Sequence, residues 1–148
     1  MSTFTQILYH FVFSTKHRHP TLTKEGRSQL YGYISGLLQN KKCHPYRIGG
    51  LEDHLHIVTH VHPTIAVADL MKDIKLATTH HIKQTRLFQK FGGWQDGYGA
   101  FTYAIGAKEN LVRYVMNQEG YHRTIGYIEE FKSLLVEHQI DVDEKFLL

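Results

Sequence analysis

The sequence predicts an α+β fold in which an antiparallel sheet carries helices on one face and further helices follow at the C-terminal end. Three observations point there. Short segments with apolar residues at every second position alternate with longer ones whose apolar residues recur every three or four. Two of the short segments are separated by a glycine pair, Gly49-Gly50, as a hairpin requires. No apolar run approaches the roughly 20 residues needed to cross a bilayer, so the patterning belongs to a soluble core.

The elements follow in order. Residues Thr5 to Ser14 place Ile7, Tyr9, Phe11 and Phe13 at period two, which predicts a half-buried strand. From Thr23, a suitable N-cap, to Asn40, the residues Leu30, Tyr31, Ile34, Leu37 and Leu38 share one helical stripe. His44–Ile48 and His54–Val61 predict the two strands of the hairpin. From Ile65 to Phe88 a second helix carries Ile65, Ala68, Leu70, Met71, Ile74, Ala77, His81 and Ile82 inward and leaves a basic face outside. Four glycines between Phe91 and Gly99 predict a loop, and Ala100–Ile105 a short strand. A helix starting near Ala107 turns Leu111, Val112, Val115 and Met116 inward. The last, Thr124 to His138, does the same with Ile125, Ile128, Phe131, Leu134 and Leu135. Strand, helix, strand, strand, helix, strand is the ferredoxin-like (RRM-like) order, here with helices appended, and that fold alone specifies no function.

At 148 residues one domain spanning 1–148 is expected. The opening stretch alternates polar with apolar residues instead of presenting an export signal, and the lone Cys43 excludes an internal disulfide framework. A cytoplasmic setting is the expectation. The net charge of +3 leans only slightly toward polyanionic partners, whereas twelve histidines supply many candidates for metal ligation or proton transfer.

Asp53-His54-Leu55-His56-Ile57 is the first group that carries chemistry. Period two directs Leu55 and Ile57 to the core and both imidazoles to the opposite face, where they are expected to face out. A rigid strand fixes their separation, which favours a shared metal ion, although a bare His-x-His pair occurs often without one. Tyr114 and Gln118, four residues apart on the helix from Lys108 to Gly120, fall on one face a turn apart.

Taken together, these segments resemble the single-tyrosine HUH transposases of small bacterial insertion sequences and their REP-associated, often domesticated relatives. The shared features are YHFVFSTKHRHP, the His54-Leu55-His56 strand EDHLHIVTHV, the basic helix DIKLATTHH, the segment WQDGYGAFTY and the tyrosine helix NLVRYVMNQEGYH. Relatives often show a His pair where this chain has Tyr121-His122 and a Ser pair where it has Thr78-Thr79, which leaves the role of Tyr121 and His122 open. The resemblance implies that Tyr114 attacks a single-stranded DNA phosphate near a hairpin. It implies further that His54, His56 and Gln118 hold a divalent cation, Mg or Mn, and that a 5′-phosphotyrosine stores the bond. Gln118 stands where rolling-circle relatives often carry a second tyrosine. A homodimer with active sites shared between subunits is also implied.

Lys16 and Arg18, with their histidine neighbours, end the first strand, and Lys72, Lys75, Lys83 and Arg86 lie along the second helix, all suited to phosphate contact. Trp94 and Tyr98 could stack on unpaired bases or lock the glycine-rich loop to the core. Two other functions fit the same residues: a catalytically inactive nucleic-acid-binding module, and a hydrolase whose His-bound metal activates water on a small substrate. The transposase reading requires His54, His56, Gln118 and Tyr114 to meet in one open pocket.

Overall fold

Alternation in the first strand sets up the whole architecture, because both of its faces are apolar and both are covered. The structure, a computed structural model, describes residues 2–143 and 145; the remaining ends of the predicted 1–148 domain lie outside the described residues. The strand is β1 (Leu8–Ser14), followed by α1 (Lys24–Asn40), β2 (His44–Gly50), β3 (His54–His60), α2 (Val67–Thr85) and β4 (Gly99–Tyr103). Among the described residues three C-terminal α-helices follow: α3 (Lys108–Met116), the single turn α4 (Gln118–Tyr121) and α5 (Tyr127–Glu137). The described strands form one antiparallel sheet in the order β2-β3-β1-β4, as the ferredoxin-like reading requires.

On one face Phe11 and Phe13 of β1, with Leu55 and Ile57 of β3, pack against Leu30, Ile34 and Leu38 of α1 and Leu70, Met71 and Ile74 of α2. This is the main core. The helices of the ferredoxin-like order cover this face, as expected, and the appended C-terminal helices cover the second. There Leu8 and Val58 meet Leu111 and Val115 of α3, while Val12 and Phe101 meet Leu134 and Leu135 of α5. The physical reason lies in the other parity of β1, where Leu8, His10 and Val12 form a second stripe too apolar to face water.

The hairpin sets the reach of α3. Gly49 pairs with His56 across the ladder, and a Cβ added there would lie 2.8 Å from the Val115 carbonyl oxygen. Only glycine lets α3 press onto the strand beside the histidine pair. Gly49→Ala is therefore expected to push α3 outward and to cost about 1–3 kcal/mol of stability in urea denaturation. Unchanged stability would contradict that close approach.

The predicted Lys108–Gly120 helix is broken at Asn117, whose φ −96° and ψ 26° leave the helical region. Asparagine hydrogen-bonds readily to nearby backbone and tolerates such a break. Met116, expected inside, is exposed because α3 lies against β2 through Leu111 and Val115.

Candidate active site

Register places the two strand histidines. β1 pairs Ser14 with His54 and Val12 with His56, so both imidazoles project from the face that α3 and α5 cover. They do point away from the main core, as expected, but they do not face out: both are fully buried. The C-terminal helices that seal the second stripe of β1 also roof the histidines.

α3 and α4 bring Tyr114 and Gln118 over the pair. Gln118 Oε1 lies 2.8 Å from His54 Nε2, and Gln118 Nε2 donates to Glu130 Oε2 at 2.9 Å. The Tyr114 hydroxyl donates to the same Glu130 oxygen in a short hydrogen bond. Glu130, from the first turn of α5, is the hub. Its Oε1 lies 2.9 Å from His122 Nε2, 3.3 Å from His56 Nε2 and 3.4 Å from His54 Nε2. Residues separated by up to 76 positions thus converge on one carboxylate.

The outer nitrogens of these rings are also held. His54 Nδ1 donates to Asp53 Oδ1 at 2.7 Å and His122 Nδ1 to the Ile125 carbonyl at 2.6 Å. His56 Nδ1 lies 2.8 Å from Nε2 of His10, a fully buried residue whose own Nδ1 has no hydrogen-bond partner. Such outer contacts fix ring orientation in metal sites.

Electrostatics follow from burial and pairing. Burial pushes the Tyr114 hydroxyl up, the bond to and charge of Glu130 push it further, and it ends far above the ordinary tyrosine value. Burial alone would raise Glu130, but the hydrogen bond and charge of His56, with bonds from Tyr114 and Gln118, hold it well below the usual carboxylate range. Asp53 is likewise raised by burial and more than restored by His54, ending below its usual range. Burial, then the neighbouring His56, drives His10 well below the ordinary histidine value.

A pH effect follows from His10. Because its folded value is depressed, the stability tied to its neutral ring is present above pH ~6.5 and is lost as pH falls through that value toward the folded one. Metal-free protein is expected to show a lower urea midpoint near pH 5 than near pH 8, with a smaller difference in His10→Gln. An equal difference in the variant would contradict this assignment.

The four central residues therefore meet as expected, but the pocket is closed rather than open. Tyr127 packs its ring 4.8 Å from that of His54, and Glu130 fills the centre. Glu130 and His10 escaped the sequence reading, and His122, whose role it left open, faces Glu130. Glu130 interrupts the apolar face Tyr127-Phe131-Leu134 at helical spacing, and His10 sits mid-strand between Leu8 and Val12; both were available signals.

The basic residues divide by location. Lys16 is exposed and Arg18 half-buried in a 3-10 turn at the end of β1, near the roof residue Tyr127. Lys72, Lys83 and Arg86 are exposed along or just after α2, across the sheet from Tyr114. Lys75 is half-buried and donates to the Gln95 carbonyl at 2.8 Å and the Gly97 carbonyl, so it clamps the loop instead of standing free. Trp94 is likewise an anchor: its ring meets Phe13 and Phe91, and its indole N–H donates to Thr78 at 2.9 Å. Tyr98 keeps an exposed ring beside a cleft of about 470 Å³ also lined by Phe13, Arg18, Phe101, Tyr127 and Phe131.

Residues 3–118 match a family model described as "Transposase IS200 like". The ISDra2 transposase TnpA of Deinococcus radiodurans is 22% identical over 118 residues, covering 76% of this chain and 84% of that protein. Among solved structures, a transposase from Deinococcus radiodurans R1 matches at TM-score 0.63 and 20% identity, over 80% of this chain and 95% of that one. A REP-associated tyrosine transposase bound to a REP hairpin matches at TM-score 0.61 and 14% identity, over 84% of this chain and 76% of that one. By class, then, the chain is a DNA transposase, an enzyme of DNA cleavage and strand transfer. It belongs to the IS200-like transposase family.

Proposed function

We propose that the chain, acting as one domain, cuts and rejoins single-stranded DNA near a hairpin, with Tyr114 as nucleophile and His54, His56 and Gln118 holding a divalent cation, Mg or Mn. One observation carries this reading: the Tyr114 hydroxyl, the Gln118 amide and the two strand imidazoles gather around a single carboxylate. The donor set suits a hard or borderline divalent ion, since neutral imidazoles and an amide oxygen leave positions free for substrate. When bound, such an ion would polarise the phosphate and offset the charge developing on it.

The chain's own residues supply the rest. Within the chain the Tyr114 hydroxyl is held as a neutral phenol by Glu130, and sharing of active sites between the subunits of a homodimer belongs to the same proposal. In the attack the Tyr114 oxygen forms a bond to phosphorus, the phosphorus–O3′ bond breaks, and the 3′ oxygen leaves as a hydroxyl. The 5′ side stays on tyrosine until another 3′-hydroxyl reverses the step, so rejoining needs no nucleotide energy source. Glu130 must first yield the phenol and the α4–α5 roof must give way, because the centre is shielded from solvent.

Lys16 and Arg18 flank the site and suit the phosphates beside the cut. Lys72, Lys83 and Arg86 lie on the far side of the sheet and suit a stem or flanking duplex. Arg18 and the aromatic cleft offer a slot for an unpaired base, and Lys75 and Trp94 contribute by fixing the loop that borders it. A homodimer and a cytoplasmic setting belong to the same proposal; no helix among the described residues is long and apolar enough to cross a membrane.

The experiment is incubation of labelled hairpin oligonucleotides with the protein and Mg or Mn, followed by a denaturing gel. A covalent protein–DNA band is expected with single-stranded and not with fully duplex DNA. The shielded centre and the raised Tyr114 value favour a second reading, a module that binds DNA without cutting it. It predicts a mobility shift on a native gel and no covalent band.

A further inference from the structure

His122 and Glu130 lie beyond residue 118, where the family match ends, yet both point into the centre of the site. His54, His122 and Glu130 each offer an atom within 4.8 Å of the others. His56 stands outside this group of three and joins it through Glu130 Oε1, and the contacts match those of neighbouring donors in a coordination sphere. Two donors at right angles around an ion with bonds of about 2.0–2.2 Å stand ~3 Å apart. The observed contacts from Glu130 Oε1 to the three Nε2 atoms, and from His54 Nε2 to Gln118 Oε1, run from 2.8 to 3.4 Å.

The acceptors facing His54 Nδ1 and His122 Nδ1 are a carboxylate and a carbonyl, so each ring carries its proton on Nδ1. Those bonds leave both Nε2 atoms directed at Glu130 Oε1, at 3.4 and 2.9 Å, the orientation that a shared ion requires.

We propose that His122 and Glu130 are ligands of the same cation as His54, His56 and Gln118, making a site of three imidazoles, an amide and a carboxylate. This rests on the metal reading of the previous subsection and changes its chemistry. Three imidazoles shift preference from magnesium toward Mn, Co or Zn, and one negative ligand tightens the hold on any divalent ion. The C-terminal segment thereby contributes directly to the metal centre as well as roofing it.

The test is isothermal titration of Mn at about pH 8, where free imidazole is neutral, on wild type, His54→Ala, Glu130→Gln and His122→Ala. Circular dichroism of each metal-free variant shows whether it folds. Pulsed electron paramagnetic resonance of wild type loaded with Mn counts bound imidazoles independently of any variant. The expected results are at least ~10-fold weaker binding in both Glu130→Gln and His122→Ala, Mn preferred to Mg, and three imidazoles. Affinity unchanged or tighter in those two variants, or two imidazoles, would overturn the inference while His54→Ala still lost binding. Absence of Mn binding to wild type would overturn the metal reading itself.

Discussion

Tyr114→Phe is expected to remove covalent capture of single-stranded DNA, by ~10⁴-fold or more, while native binding of the same oligonucleotide stays within a few-fold. The ring of Tyr114 packs edge-on against His56 and Tyr121, and phenylalanine preserves those contacts. What disappears is one oxygen. Its loss also deprives Glu130 of a donor, yet Gln118, His56 and His122 still face that carboxylate, so the fold should lose only about 1–2 kcal/mol. A variant that still forms the adduct would assign the nucleophile elsewhere. One that loses binding and capture together would instead mark Tyr114 as a contact residue.

Metal removal should have the next largest effect. Chelation is expected to suppress the adduct below detection and Mn to restore it, whereas His54→Ala should not recover at Mn levels that saturate wild type. A ligand bound only by the folded state stabilises it by about 2.7 kcal/mol at one hundred times its dissociation constant. For a chain of this size that corresponds to roughly 5–10 °C in thermal midpoint. Wild type should show that rise with Mn and His54→Ala should show none. An equal rise in both would locate the ion at another site.

The sheet was legible because strands and helices differ in period. Phe11 and Phe13 against Leu55 and Ile57 announce the main core, and the i, i+4 spacing of Tyr114 and Gln118 announces a shared face. The second covered face was harder to read. Its stripe on β1 contains His10, which looks polar in sequence and is buried only because α3 and α5 arrive from more than 90 residues away.

Glu130 was hidden for a related reason. Acids in the first turn of a helix, such as Glu129 and Glu130, ordinarily face water and complement the helix dipole, so one of them turning inward is visible only against the apolar face it interrupts. Lys75 and Trp94 carried the chemistry of DNA contact in sequence. Their partners, the loop carbonyls of Gln95 and Gly97 and the hydroxyl of Thr78, appear only once the loop folds back on α2.

The proposed strand transfer depends on one phenol becoming bonded to phosphorus beside the two strand imidazoles. Proteolysis and mass spectrometry of wild-type protein, after incubation with hairpin DNA and Mn, measures that bond directly. The predicted result is a nucleotide attached through its 5′ phosphate to the peptide containing Tyr114. Cut DNA with free 5′ phosphates and no modified peptide would show that water, not tyrosine, is the nucleophile.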